Sequence, residues 1–376
     1  MPFRTVPAMA SIPAQQWNSL LPDSNPFLRH EFLAALEEHR CASEHTGWTP
    51  QHLVLTDRDG TVRGAMPLYR KHHSWGEFVF DWSWANAYAR MGLDYYPKHV
   101  VAVPFTPAPG SRLLARDSRV QGELAAALLE HTRAENLSSA HVLFPLESEL
   151  PVLREAGFLL RKDCQFHWHN RGYGSFDDFI ATFRADKRKK ALRERRRVAE
   201  AGIRMEVVEG ADMDPALWRI VFAFSERTFA SHGHNHYLNA EFLQTVARRM
   251  PDAVMVVLAR LHARPVAAAI FFRSHDTLYG RYWGSAGNYH SLHFETCYYQ
   301  GIAYCIRHGL QRFEPGTQGE HKIARGFEPV ATWSAHWLAD VRIRRALELH
   351  LREEAVAVDA YMRAVREHLP FRRDSV

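Results

Sequence analysis

A chain of 376 residues with 46% hydrophobic content is longer than one core usually sustains, so two domains of fewer than about 200 residues each are expected. Apolar runs such as residues 265–272 fall far short of the roughly 18 residues of a membrane-spanning helix, and the N-terminal segment lacks the apolar stretch of a secretory signal, so cytoplasmic residence is the default. The net charge of +5 is compatible with an anionic partner, and the four cysteines (Cys41, Cys164, Cys297, Cys305) form no C-x-x-C pair, which argues for a reducing compartment and against a cysteine-based zinc site.

In chain order, residues 51–71 read as two strands around a turn at Arg58, Asp59 and Gly60, because apolar runs flank a turn-forming cluster. Residues 76–88 read as a third, aromatic-rich strand carrying Trp82, Trp84, Asn86 and Tyr88. Asn86, Tyr88 and Arg90 are candidate substrate contacts. An inserted stretch of about residues 90–117 is long enough to be a lid or binding loop, or the cover of a sheet edge. A helix over 121–137, a short strand at 141–145 and a last strand at 156–168 follow.

Two glycines among polar residues at 169–175 mark a linker, giving an N-terminal domain at 1–169 and a C-terminal domain at 170–376. The second part opens on a basic helix at 184–197, with nine basic and two acidic residues. Lys187, Arg188, Lys190 and Arg193 could meet nucleic-acid phosphates there without reading bases, or form a solvated basic face. His232, His234 and His236 alternate along 231–237 but have no carboxylate at a ligand spacing, so no metal site is expected. Residues 254–275 repeat the two-strand design and 278–289 the aromatic strand. A helix at 292–308, a strand at 311–314, a polar loop, a strand ending near 337 and a helix at 339–369 complete the chain.

The two parts share more than order. Residues 156–168 align without gaps on 325–337, matching Gly157 with Gly326, Phe158 with Phe327, His167 with His336 and Trp168 with Trp337. Two copies of one α/β unit explain this economically.

Strand, turn, strand, strand, helix, strand, helix, strand is the core order of the GNAT fold, and its duplication resembles the FemAB or FemX group of aminoacyl-tRNA-dependent transferases. Residues 294–337, with 47–55, 84–114 and 237–242, are similar to FemAB-like proteins labelled as peptidoglycan-biosynthesis proteins or N-acyltransferases. The resemblance implies an α/β protein of two tandem GNAT-like (acyl-CoA N-acyltransferase) domains with mixed, mostly antiparallel sheets flanked by helices. It also implies amide-forming transfer from aminoacyl-tRNA or acyl-CoA, as co-substrate rather than tightly bound cofactor, to the amine of a peptide, cell-wall precursor or small metabolite. Where acetyl-CoA enzymes of this fold carry a Q/R-x-x-G-x-G/A turn, this chain has Arg281, Gly284 and Ala286, then Gly287 and Asn288. The turn is a candidate pyrophosphate cradle at a helix start, or a tight strand-to-helix connection. A FemX-like enzyme need not bind CoA there.

Glu295 falls in the apolar stripe of the helix at 292–308, where a carboxylate is costly, so it is a candidate general base, or a helix cap hydrogen-bonded to a neighbouring ring. The loop that follows concentrates Gln318, Glu320, His321, Lys322 and Arg325 between glycines. Glu320 and His321 offer acid or base groups, or the loop is a solvated turn capping the helix before Gly326. Gln318, Lys322 and Arg325, with Trp283 and Tyr299, are candidate substrate contacts. Direct acyl transfer to an amine needs positioning, deprotonation and a polarised carbonyl, but no metal or covalent nucleophile. A rival expectation is a non-catalytic GNAT scaffold that binds RNA or another anion.

Overall fold

A computed structural model describes residues 2–317 and 319–372. Met1, Gln318 and residues 373–376 lie outside the described residues. The chain forms two compact units, Met1–Cys164 with Ala331–Ala360, and Gln165–Val330 with Tyr361–Val376. The first transition falls close to the expected linker, but the first unit also includes a later segment, Ala331–Ala360, that a single cut at 169/170 would assign to the second.

The first part of the chain forms β1 (Phe3–Val6), α1 (Ala14–Asn18), α2 (His30–Glu38), β2 (Trp48–Pro50), β3 (His52–Thr56), β4 (Val62–Met66), β5 (Leu68–Lys71) and α3 (Trp82–Arg90). It continues with β6 (Lys98–Val101), β7 (Leu114–Ala115), α4 (Ser118–Ala134), β8 (Ser139–Leu143), α5 (Leu150–Glu155) and β9 (Leu159–His169). The second part forms α6 (Phe176–Ala181), α7 (Ala185–Glu200), β10 (Ile203–Glu209), α8 (Pro215–Ser231), α9 (Ala240–Arg249), β11 (Val254–Leu261), β12 (Arg264–Arg273) and β13 (Thr277–Ser285). Then come α10 (Leu292–Phe294), a π-helical turn (Glu295–Tyr299), α11 (Gln300–His308), β14 (Arg312–Glu314), β15 (Glu328–Leu338) and α12 (Val341–Glu367). No described helix is long and apolar enough to cross a membrane.

In the first unit β1, β3, β4 and β7 form one antiparallel sheet. A second group runs β2, β5, β6, β8 and then residues 334–338 of β15. Asp117 starts α4 by accepting the Val120 amide at 2.9 Å, the side-chain cap that an unpaired first turn requires. Leu124 and Leu128 of α4 then bury against Leu53, Met66, Val142 and Trp337, at about 1.5–3 kcal/mol for each fully buried leucine.

The aromatic segment expected as a strand is the helix α3. Trp84 and Tyr88, four residues apart, fall on one helical face and enter a core with Leu338, Ile343 and Leu347, so helical spacing overrides the strand-like composition. The strand place is taken by β6, inside the expected insertion, which runs parallel to β8. The rest of that insertion is packed, not an open lid. Arg112 is 1% exposed and donates to the carbonyls of Leu143, Gly110 and Ala108, while the Glu149 carboxylate accepts the Arg112 and Leu113 amides.

In the second unit β10, β11, β12 and β13 are antiparallel, β13 and β14 are parallel, and β14 pairs with the end of β9. Asp214 caps α8 and Asn239 caps α9 through the Leu217 and Phe242 amides. The parallel pairing β13–β14 mirrors β6–β8, and the repeat aligned in the sequence is the pair β9 and β15. The molecule has two tandem GNAT-like domains with mixed, mostly antiparallel sheets flanked by helices.

Candidate active site

The second unit departs from regular structure at two adjoining places. β13 pairs with β14 only from Thr277 to Tyr279, then runs on to Ser285 while β14 stops at Glu314, so the two parallel strands part. Just past the point where they part, β13 carries a bulge, with Tyr282 opposite Ile270 and Gly280 opposite Phe271. Pro315 and Gly316 turn the chain away, and a Cβ on Gly280 would lie 3.3 Å from the Pro315 Cα. The second irregularity is the π-helical turn Glu295–Tyr299, a distortion that recurs at functional sites.

Between these features lies a 3-10 turn, Glu320–Arg325. Lys322 is 1% exposed and its Nζ donates to the Gly316 carbonyl at 2.6 Å. Burial lowers its pKa to about 7, with the Cys297 thiol working against that shift and Arg281 adding to it. Near neutral pH the amine is therefore divided between charged and neutral forms, so it can accept a proton. Burial pushes the Cys297 thiol well above its ordinary range, as it does Cys305, so neither is prepared as a nucleophile.

A second layer fixes this turn. Glu194 of α7 accepts from the Tyr299 hydroxyl at 2.6 Å and from Arg325 Nη2 at 2.8 Å. The Arg325 guanidinium carbon lies 3.3 Å from the Phe294 ring centroid, and Nη1 donates to the His321 carbonyl at 2.6 Å. Next to Glu194, Arg195 donates to both Glu295 oxygens at 3.1 and 3.3 Å, and Gln300 donates to Glu295 at 2.7 Å. Glu295, Arg195, Arg196, Gln300, Leu192 and Met205 line a surface cleft of about 440 Å³.

The structure thus joins Tyr299 and Arg325 through Glu194, with Lys322 on the same turn as Arg325, while Glu295 is held separately by Arg195 and Gln300. Glu295 is 4% exposed and its carboxylate is held by a cation and an amide. Glu320 and His321 sit on the exposed side of the turn, where Tyr361 donates to Glu320 at 2.9 Å and the Tyr298 hydroxyl lies 2.8 Å from His321 Nε2. Burial lowers the His321 pKa, with help from Lys322 and Arg325. Trp283 packs edge-on against His293 at 5.3 Å. Glu194 was missed, although Ala191, Glu194 and Val198 have a three-and-four spacing that puts this acid in the scarce apolar stripe of the basic helix.

Gly284 is on β13, not in a turn, and a Cβ there would lie 1.9 Å from the Phe224 carbonyl oxygen on α8. Helix packing accounts for that glycine. Gly287 and Asn288 are in the exposed connection to α10, where Arg227 donates to the Ala286 carbonyl at 3.2 Å. Arg188, Lys190 and Arg193 lie exposed on α7, and Lys187 is half-buried. His232 bonds back to the Thr228 carbonyl and His236 to Ser225. Among the described residues His232, His234 and His236 form no metal-ligating group.

The model of the FemAB-like family, described as peptidoglycan biosynthesis/recognition, matches residues 8–373. The chain belongs to the FemAB-like family. Membership makes the protein a transferase of the acyl or aminoacyl kind. No curated protein matches this FemAB-like chain. Among solved structures, FemX is 11% identical, with 93% of this chain and 100% of that one covered at a TM-score of 0.56. The C-terminal domain of a putative lysylphosphatidylglycerol synthetase from Agrobacterium fabrum is 10% identical, with 92% and 97% covered at 0.58. L-PGS from Bacillus licheniformis is 10% identical, with 88% and 97% covered at 0.51. At these identities the likeness is one of fold.

The first unit of this FemAB-like protein carries a second polar cluster that the sequence reading missed. Lys71 and Lys98 face each other across β5 and β6. Lys98 Nζ donates to Ser74 Oγ at 2.9 Å, to Glu77 at 2.8 Å and to Asp81. Burial alone would lower the Lys98 pKa, but Glu77 and Asp81 hold it above its ordinary value. Burial lowers Lys71 to about 7 and raises Glu77 to about 7 against the pull of Lys98. Tyr95 donates to Asp81, His141 lies 3.2 Å from the Tyr95 hydroxyl, and His141 and His336 meet at 2.8 Å. These bonds pin the segment 74–81, where Phe78 and Phe80 have φ of 61° and 54°, a conformation that needs surrounding support. Tyr88 donates to the Ser138 carbonyl at 3.3 Å in the adjoining core, whereas Asn86 and Arg90 are on the exposed side of α3.

Proposed function

We propose that this protein forms amide bonds by moving an acyl or aminoacyl group from an activated donor to the amine of a peptide, cell-wall precursor or small metabolite. The second unit carries the chemistry, the donor carbonyl lies where β13 and β14 part, and Lys322 is the proton acceptor. One observation carries this reading: Lys322 is buried at that parting with a pKa near neutrality. The acceptor nitrogen attacks the donor carbonyl carbon, an N–C bond forms, and the ester C–O or thioester C–S bond breaks. Neutral Lys322 takes the proton the nitrogen loses and passes it to the leaving oxygen or sulfur, which returns the lysine to its neutral form. Glu194, Tyr299 and Arg325 position the turn that presents Lys322, and Glu295 anchors Arg195 beside the cleft.

Aminoacyl-tRNA is the favoured donor. The exposed basic side chains of α7 suit a phosphate backbone, and the glycine best explained by packing, Gly284, removes part of the case for a CoA pyrophosphate cradle. Acyl-CoA is the alternative donor.

Single-turnover transfer, measured with aminoacyl-tRNA and with acyl-CoA, tests the reading with Lys322→Arg. Arginine keeps the charge but cannot give up its proton, so the rate falls about 100-fold or more while donor binding persists. An unchanged rate would remove Lys322 from the chemistry. Salt-sensitive RNA binding through α7, with no transfer from either donor, would instead support a non-catalytic RNA-binding scaffold.

A further inference from the structure

We propose that His99, His131 and Glu135, all in the first unit, bind one divalent metal ion of the zinc class. His131 lies in the last turn of α4 and Glu135 is its C-cap, so the four-residue spacing puts both on one helical face. His99 is on β6. The three ligand atoms lie within 4.8 Å of one another. Glu135 Oε2 is 3.5 Å from His99 Nε2, and Oε1 is 3.4 Å from His131 Nε2. Ligands at about 2.0–2.1 Å from a tetrahedral zinc are separated by about 3.3 Å. The two distances run to different oxygens of Glu135, so the carboxylate binds through both or turns to present one, and the partly exposed ring of His131 turns from its stacked position 4.7 Å from the His99 ring to complete the set.

Hydrogen bonding sets the donor atoms. The Thr132 hydroxyl donates its only proton to the Leu128 carbonyl at 2.7 Å, so its oxygen accepts from His99 Nδ1 at 2.9 Å. The neutral ring then carries its proton on Nδ1 and presents a bare Nε2 lone pair, the outer-sphere arrangement that orients a ligating imidazole. Gln51 Oε1 lies 2.9 Å from that Nε2, and Gln51 Nε2 donates to Glu135 at 3.2 Å. Two lone pairs thus face each other. Turning the amide over transfers the conflict to Glu135, because Oε1 would then face a carboxylate oxygen. His131 Nε2 and Glu135 Oε2 are buried without a hydrogen-bond partner. A cation accepts all of these lone pairs at once and leaves Gln51 Oε1 or a water for the fourth position. Arg70, 3.9 Å from Glu135 with its side chain 38% exposed, is the competing cation and can turn outward.

The full-length protein, stripped with a chelator, is titrated with Zn²⁺ against a chromophoric chelator and separately with Co²⁺ while visible absorption is followed. The expected result is one equivalent bound, with affinity reduced about 100-fold or more in His131→Ala and in Glu135→Gln. Both positions are partly exposed, and circular dichroism checks their folding. A Zn²⁺-induced rise in Tm should appear in the parent and disappear in both variants. Absence of stoichiometric binding in the parent, or equal binding in parent and variants through histidines elsewhere, would overturn the site.

Discussion

Lys322 links burial to both chemistry and stability. Its pKa is lowered to about 7 when folded, against about 10.4 in an unfolded chain. Between those values the unfolded chain binds more protons than the folded one, so this residue makes stability rise with pH. Its destabilising effect is complete below about pH 7 and fades toward pH 10. Lys71 has the same sign of shift, so whole-protein titration mixes the two, and the comparison must be made against Lys322→Met. The stability of the parent relative to that variant should grow by up to about 1.4 kcal/mol per pH unit between pH 7 and 10, measured by urea unfolding across the range. A difference independent of pH would mean that Lys322 keeps its proton in the fold. Lys322 and Arg325 were legible as polar residues between glycines. What the sequence could not supply was the depth of Lys322, or that Cys297 and Arg281, on other elements, come near enough to act on its charge.

At the scale of elements, composition misled where packing decided. Trp82, Trp84 and Tyr88 suggested a strand by residue type, whereas the four-residue interval from Trp84 to Tyr88 was the signal that held. The repeat of β9 in β15 was readable because a gap-free match survives in the strand that each copy ends on. The Gly284 region illustrates the limit of motif reading, since the same glycine fits a phosphate turn or a crowded helix contact. Gly284→Ala and Gly287→Ala separate these. The first puts a carbon 1.9 Å from the Phe224 carbonyl oxygen, and backbone cannot yield as a flexible side chain can. It should destabilise the protein by about 3 kcal/mol or more. The second meets nothing nearer than the Tyr289 ring at 3.7 Å and should change stability by about 0.5 kcal/mol or less. Denaturant midpoints measure both. A mild Gly284→Ala that lowers CoA binding would return that glycine to a phosphate-binding role.

At the scale of the whole chain, the duplicated pattern suggests two halves that can be cut apart at 169/170, but the composition of the units argues otherwise. Residues 334–338 of β15 pair with β8 in the first unit, where Ala335 and Trp337 join the core around α4. Ile343, Leu347 and Leu351 of α12 cover Trp84 and Tyr88 in the same unit. A fragment of residues 1–169 would lose all of these, leaving β8 with an unpaired edge and an apolar surface that favours aggregation. A fragment of residues 170–376 would lose Trp168 and His169, the β9 partners of Phe313 and Arg312, next to the strand parting where Lys322 lies. Each fragment made alone should be insoluble or lack a cooperative unfolding transition, while the two made together should recover soluble protein by restoring the missing strands. Circular dichroism and size-exclusion chromatography read the outcome. If residues 1–169 alone fold cooperatively, the contribution of β15 and α12 to the first unit is dispensable, and the two copies of the repeat are independent domains as their sequence order alone would suggest.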